Sequence, residues 1–174
     1  MRYLKTILLT FIIVFISTQS KSEIKIAIVE MDTLLRDSLV GKSLQTQLST
    51  IEKNNKKFIE KNKKELNLKK NKINAQKNIL SQEEFNKKIV ELNKEFESFK
   101  INVKKKIQSS QSKRDIAMKK ILEKLNLILS EYSNKNKITF IIDQNNIIIG
   151  RTDLNVTSEI LKLLDQKLTK ISLK

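Results

Sequence analysis

The 174-residue chain has no cysteine, no histidine, no proline and no tryptophan, and only two glycines. Without cysteine there is no disulfide, thiolate nucleophile, zinc–sulfur site or lipid-modified cysteine anchor. Without histidine the usual base near neutral pH and the commonest metal ligand are gone. These absences argue against an enzyme before any motif is weighed, and no cofactor or metal is expected. The scarcity of glycine and proline is permissive instead. The 108 residues between Gly41 and Gly150 contain neither helix breaker, so helices there can run long.

What is present falls into distinct segments. Arg2 and Lys5 precede a largely apolar run, Ile7 to Ile16, which is followed by the small and polar Ser17 to Ser22. This is the order of a cleavable secretory signal peptide, cut after Ser22 or Ser20. The apolar run is too short for an uncleaved span, which needs about 20 residues. Beyond it the charge is segregated. Residues 42–134 hold 23 Lys+Arg against 11 Asp+Glu, whereas residues 23–41 and 135–174 together hold 9 against 8. Lysine, isoleucine and asparagine make up 72 of the 174 residues, which AT-rich coding would favour, but a compositional drift does not by itself sort charge into one segment.

Ile24, Ile26 and Ile28 alternate with Lys25, Ala27 and Val29, a strand pattern. Asp32 or Thr33 can cap a short helix through Leu34, Leu35 and Leu39, and Gly41 marks a kink or close packing before a long helix. From Lys42 to Leu80 the apolar stripe is narrow. Only six of the 26 residues between Lys53 and Asn78 are apolar, so this helix cannot be buried all round. Ser81 and Glu84 form a capping-box signature, placing a hairpin tip near 77–81. The returning helix carries Phe85, Ile89, Leu92, Phe96, Phe99 and Val103 at alternating steps of four and three, a heptad seam. Ile107 then adds a stutter, and residues 108–115 contain nothing apolar, which predicts a loosened stretch. The pattern becomes dense again from Ile116 to Tyr132. Ile138–Ile142 and Ile147–Ile149 read as a strand hairpin around the polar Asp143–Asn146, and a last helix begins near Asn155–Thr157.

The expected fold class is α+β: a long antiparallel helical hairpin arm (42–134) projecting from a small β/α body (23–41 and 135–174). Two helices alone bury little surface and the body is thin, so an oligomer is expected. Its strands Ile24, Ile26 and Ile28, with Phe140, Ile142 and Ile148, are the candidate oligomer contacts, because unpaired apolar edges invite pairing.

Other chemistry fits poorly. Gly41-Lys42-Ser43 ends like a phosphate-binding loop, but Arg36 stands where that loop needs glycine. Asp143-Gln-Asn145 starts like a calcium loop, but Ile147 and Ile148 occupy positions that need an oxygen ligand and a glycine. Asp32, Asp37 and Asp143 read as caps and turn residues, not as a catalytic carboxylate pair. Asn155-Val-Thr157 matches a glycosylation acceptor and equally a helix cap. The basic arm would support salt-sensitive phosphate binding, but four arginines, few aromatics and no helix-turn-helix pattern exclude specific nucleic-acid recognition. Phe58, Ile59, Leu66, Ile73, Phe85, Ile89, Leu92, Phe96 and Phe99 are the candidate contacts for a partner chain. Most are expected between the two helices, with a minority left exposed for weak, multivalent contact.

Several of these residues resemble the Skp/OmpH family of periplasmic chaperones. They are Lys25-Ile-Ala-Ile-Val-Glu-Met31, Ser38 and Gly41-Lys42 at one end, and Ile138-Thr-Phe-Ile-Ile-Asp-Gln-Asn145, Asp153 and Thr157-Ser-Glu-Ile-Leu161 at the other. The resemblance spans 23–174 and rests on the order of the parts. The arms depart from it in being rich in lysine and asparagine and poor in alanine, which bears on their rigidity. It implies a homotrimer whose strands form a shared small barrel. It also implies ATP-independent holding of unfolded outer-membrane proteins in the periplasm, in a cavity between three arms. Some members are described with a lipopolysaccharide site, and the basic arms leave lipopolysaccharide or a membrane surface open as partners, though no residue match carries that site over. The alternatives are a structural or tethering coiled-coil protein of the cell envelope and a basic nucleic-acid-binding protein.

Overall fold

The computed structural model describes residues 24–173; the signal peptide expected over 1–22 lies outside them. The order of elements is β1 (Ile26–Val29), α1 (Met31–Asp37), α2 (Leu39–Ala75), α3 (Gln82–Asn136), β2 (Phe140–Asp143), two short 3-10 turns (Gln144–Asn146 and Thr152–Leu154) and α4 (Thr157–Lys167). At 1.5 Å per residue, α2 is about 55 Å long and α3 about 80 Å. Their antiparallel pairing forms the arm, and the C-terminal part of α3 packs on the body. None of the helices among the described residues is long and apolar enough to cross a membrane.

β1 and β2 pair in parallel, Ile26 opposite Phe140 and Val29 opposite Asp143. A parallel pair needs a long crossover, and here the crossover is the arm itself. The junction is tied at its open end, where Thr139 N donates to Lys25 O at 2.7 Å. Lys25 Nζ reaches the Asn136 carbonyl at 3.1 Å, placing a cation at the C-terminus of α3, where the helix dipole favours it. That terminus closes on Lys137 at φ 54°, a left-handed cap filled by lysine instead of the usual glycine.

One face of the sheet, carrying Val29 and Ile141, meets Leu34, Val40, Leu44, Ala117, Ile121, Leu125, Ile128, Ile160 and Leu164. This is the core. It draws one stripe from each of four helices, which explains the dense apolar pattern after Ile116.

Several expectations are corrected. Ile147–Ile149 is not a strand. The Asp143 carboxylate accepts from Asn145 N at 3.3 Å, Ile147 N donates back to Gln144 O at 3.0 Å, and the resulting turn leads into a loop that folds over Ile28. The Ile28 side chain lies so close to this loop that a Cβ on Gly150 would sit 3.0 Å from it. Ile28, expected at an oligomer contact, is therefore buried within its own protomer. In place of the expected second strand, Asn155 forms a parallel bridge with Ile28. Residues 108–115 are continuous helix, because the stutter at Ile107 is absorbed without a break and Asn55 Nδ2 meets Ser110 Oγ across the arm at 3.0 Å. The long helix begins at Leu39, capped by Ser38, so Gly41 lies inside it. The short helix before it is capped by Glu30, not by Asp32 or Thr33; Thr33 instead donates to the Glu30 carboxylate.

Candidate functional site

The arm is rooted by polar contacts that span the chain. Ser38 is fully buried, and its Oγ accepts from Gly41 N at 3.1 Å. Leu39 N donates to Asp165 of α4 at 2.7 Å. The first turn of α2 is thus capped from two directions. On the other side of the body, Glu30 N donates to Thr157 Oγ1 and its carboxylate accepts from Asn155 Nδ2, both at 2.9 Å. Asn155 Oδ1 accepts from Thr157 N at 2.9 Å. The amide that would carry a glycan is engaged as a clasp between β1 and α4. The C-terminal residues lie along the arm's root, where Gln47 donates to Ile171 O at 2.6 Å and accepts from Leu173 N at 3.2 Å.

Along the arm, Leu66 and Leu92 are buried between α2 and α3. The Phe58 and Phe99 rings stand 6.3 Å apart, and Lys106 Nζ lies 4.7 Å above the Phe58 ring, a cation–π contact. At the tip the capping box closes: Ser81 Oγ accepts from Glu84 N, and Glu84 accepts from Ser81 N, both at 3.2 Å. The Ser81 hydroxyl, then its backbone N–H, hold the Glu84 carboxyl below the ordinary glutamate range. At the root, Lys167 does the same for Glu131 by a hydrogen bond and its charge.

The two flanks of the arm differ. On one, Ile59, Phe99, Val103 and Ile107 form the floor of an open groove of about 600 Å³, edged by Lys63, Lys100 and Lys104 and by no acid. It continues toward the body past Lys56 and Arg114. On the other flank a smaller groove of about 340 Å³ is lined by Phe58, Leu66 and Phe99 and edged by Lys69, Lys94, Glu65 and Glu95. There a 2.7 Å ion pair between Lys69 and Glu95 crosses from α2 to α3. Only four of the 23 basic side chains of residues 42–134 are in ion pairs, those of Lys56, Lys61, Lys69 and Lys100. The arm's positive charge is therefore largely unneutralised.

The sequence profile of the family described as outer membrane protein (OmpH-like) matches residues 25–164. The chain belongs to this OmpH-like family. Among solved structures, the fold is similar to that of an OmpH-like chain from Caulobacter crescentus described as a candidate outer membrane chaperone. The TM-score is 0.80 at 15% identity, covering 90% of this chain and 92% of that one. No curated sequence matches closely enough to count as a relative.

Placed on this OmpH-like fold, the sequence-derived contacts separate. Leu66 and Leu92 belong to the arm's interior, so they are corrected from partner contacts to seam residues. Phe58, Ile59, Ile73, Phe85, Ile89, Phe96 and Phe99 are half-buried at the edges of the seam. In the body, Ile24, Ile26, Phe140 and Ile148 are exposed and Ile142 is half-buried. Reading the seam missed the apolar residues that the two long helices expose most: Leu68, Ile79, Val90, Ile101, Ile107, Ile116 and Leu127. Their signal is that they fall outside the seam's spacing. Val90 and Ile101 are eleven residues apart, three helical turns, and so share one face.

Proposed function

We propose that the protein is an ATP-independent periplasmic holdase that keeps unfolded outer-membrane proteins from aggregating after export. It acts as a homotrimer whose arms surround the client. Family membership and the arm-on-body fold support the chaperone role. The first 22 residues, by their sequence pattern, support export. The observation that carries the reading is the arm's surface: isolated exposed apolar side chains such as Leu68, Val90, Ile101 and Ile107 set among mostly unpaired lysines. The grooves along the arm are open. Many weak apolar contacts, summed along an extended chain and strengthened by charge, suit an unfolded one. The same charge would draw the arms toward lipopolysaccharide or an anionic membrane face. A tether is less well served, because both helices of the arm return to one body and offer no second end.

The test is dilution of a urea-unfolded outer-membrane β-barrel protein into buffer with the mature chain. The holdase suppresses light scattering without ATP, and its client affinity falls as ionic strength rises, because exposed charges are screened beyond about 8–10 Å in physiological salt. No suppression at stoichiometric excess overturns the reading.

A further inference from the structure

Resting on the holdase reading, the geometry points to which side of the arm meets the client: we infer that it is the flank of Ile59, Val103 and Ile107, and that this flank selects segments in which apolar residues are interleaved with acidic ones. The two flanks are built from the same two helices but are not equivalent. The lining of the groove on the proposed flank has three lysines and no acid; including its extension toward the body, the basic residues are Lys56, Lys63, Lys100, Lys104 and Arg114 and the acids Glu52 and Glu60. Lys63 and Lys104 have no ion-pair partner among the described residues. On the opposite flank two lysines face two glutamates, and the Lys69–Glu95 pair satisfies one of each across the groove.

Lys100 pairs with Glu97 and Lys56 with Glu60 along their own helices. That leaves Lys63, Lys104 and Arg114 as the unpaired cations beside the groove among the described residues. An apolar floor edged by them is complementary to a chain that offers an apolar side chain with a carboxylate beside it. Burying the apolar group removes water from around the ion pair and strengthens it. A segment bearing lysines would meet like charge there and be rejected. The neutralised flank offers neither the attraction nor the rejection. Ile107, 58% exposed, is the anchor: it breaks the seam's spacing, and that break turns it out of the arm's interior onto this flank.

The experiment places p-benzoylphenylalanine at Gln108, an uncharged and exposed residue of the proposed flank, and, separately, at Asn102 on the neutral flank, in the full mature chain. A purified, urea-unfolded outer-membrane β-barrel protein is the client. Crosslinking to the client from position 108 should exceed that from 102 by about five-fold or more, as expected for contacts set by charge complementarity. A synthetic peptide alternating apolar and acidic residues should compete, and its lysine-substituted counterpart should not. Lys63→Glu with Lys104→Glu should weaken client binding several-fold and reverse that peptide preference. Equal crosslinking, preference for 102, crosslinking from 108 only to another copy's arm, or indifference to peptide charge overturns the inference while leaving the holdase reading standing. A wild-type chain that holds no client overturns both.

Discussion

Adding one methyl group at Gly41 sets two effects against each other. Alanine in a helix is more stable than glycine by about 1 kcal/mol, so propensity predicts a gain. The Cβ, however, would lie 1.9 Å from the backbone oxygen of Leu35, an atom fixed by α1 and unable to step aside. α1 and α2 are separated by the single residue Ser38, and only a glycine lets the two backbones approach this closely. The clash wins: Gly41→Ala is expected to destabilise the protein by about 2–3 kcal/mol, read as a lower urea midpoint. An unchanged or higher midpoint would show that the α1–α2 junction is looser than described. That glycine matters here was visible in the sequence, because it is one of two in the chain. Close packing is one of the two readings the sequence allows there; the atom it packs against, the Leu35 carbonyl oxygen, is not legible, since α1 and α2 meet only through the turn at Ser38. Glu30 as the cap was likewise hidden: its side chain makes no cap bond to α1 and is occupied by Thr33 and Asn155.

The helices themselves were legible because their signals are local. The capping box at Ser81 and Glu84 marked the start of α3 within a residue. Its charge state gives a pH prediction. Glu84 titrates below its ordinary value in the folded arm, so its contribution is complete above the ordinary glutamate range and is lost as pH falls through that range to the lowered value. Acidification should therefore fray the first turn of α3, seen as loss of helical chemical shifts at residues 82–85. Glu84→Gln should remove the pH dependence, and an acid-insensitive first turn in the wild type would contradict the box. The strands were legible only in part. Ile24–Val29 and Ile138–Ile142 read as strands and overlap β1 and β2, but the parallel pairing joins residues 114 positions apart, and no short-range pattern encodes that. Ile147–Ile149 has the composition of a strand without a strand partner among the described residues, so composition misled. Leu168 reads at helical spacing with Ile160 and Leu164, but α4 stops at Lys167, and beyond it Gln47 holds the backbone of Ile171 and Leu173. Gln47→Ala should free this tail, making cleavage after Lys167 or Lys170 faster in limited trypsin digestion while the arm remains resistant. Unchanged cleavage would mean that the packing of Ile171 and Leu173 alone retains it.

At the scale of the whole molecule, the sequence disclosed that the arm was charged and the body nearly neutral, but not the inequality of the two flanks. That inequality depends on which residue of α2 faces which residue of α3, as Ile59 shares a groove with Ile107. From the sequence, the body is expected to be completed by other copies through its strands, and the exposed residues narrow that surface. A two-stranded sheet is marginal alone, and this one has apolar residues on both faces. Val29 and Ile141 meet the helices. On the other face the loop covers Ile28, while Phe140 is 55% exposed and the adjoining Ile148 and Ile149 are 99% and 91% exposed. These apolar residues adjoin β2, whose outer edge has no strand partner among the described residues, and such a patch beside an open edge suits pairing with another chain. The occupant consistent with the proposed homotrimer is the same surface of two further copies, and burying one such isoleucine contributes about 2 kcal/mol. The wild-type mature chain should then sediment at three times the protomer mass at micromolar concentration. Phe140→Asp with Ile148→Asp should sediment as a monomer that retains the helical circular dichroism of its arm, because neither side chain supports the protomer's core. Ile28→Asp should instead unfold the body, because that side chain is buried within one copy. A monomeric wild type, or a trimer that survives the double substitution, would place the assembly surface elsewhere.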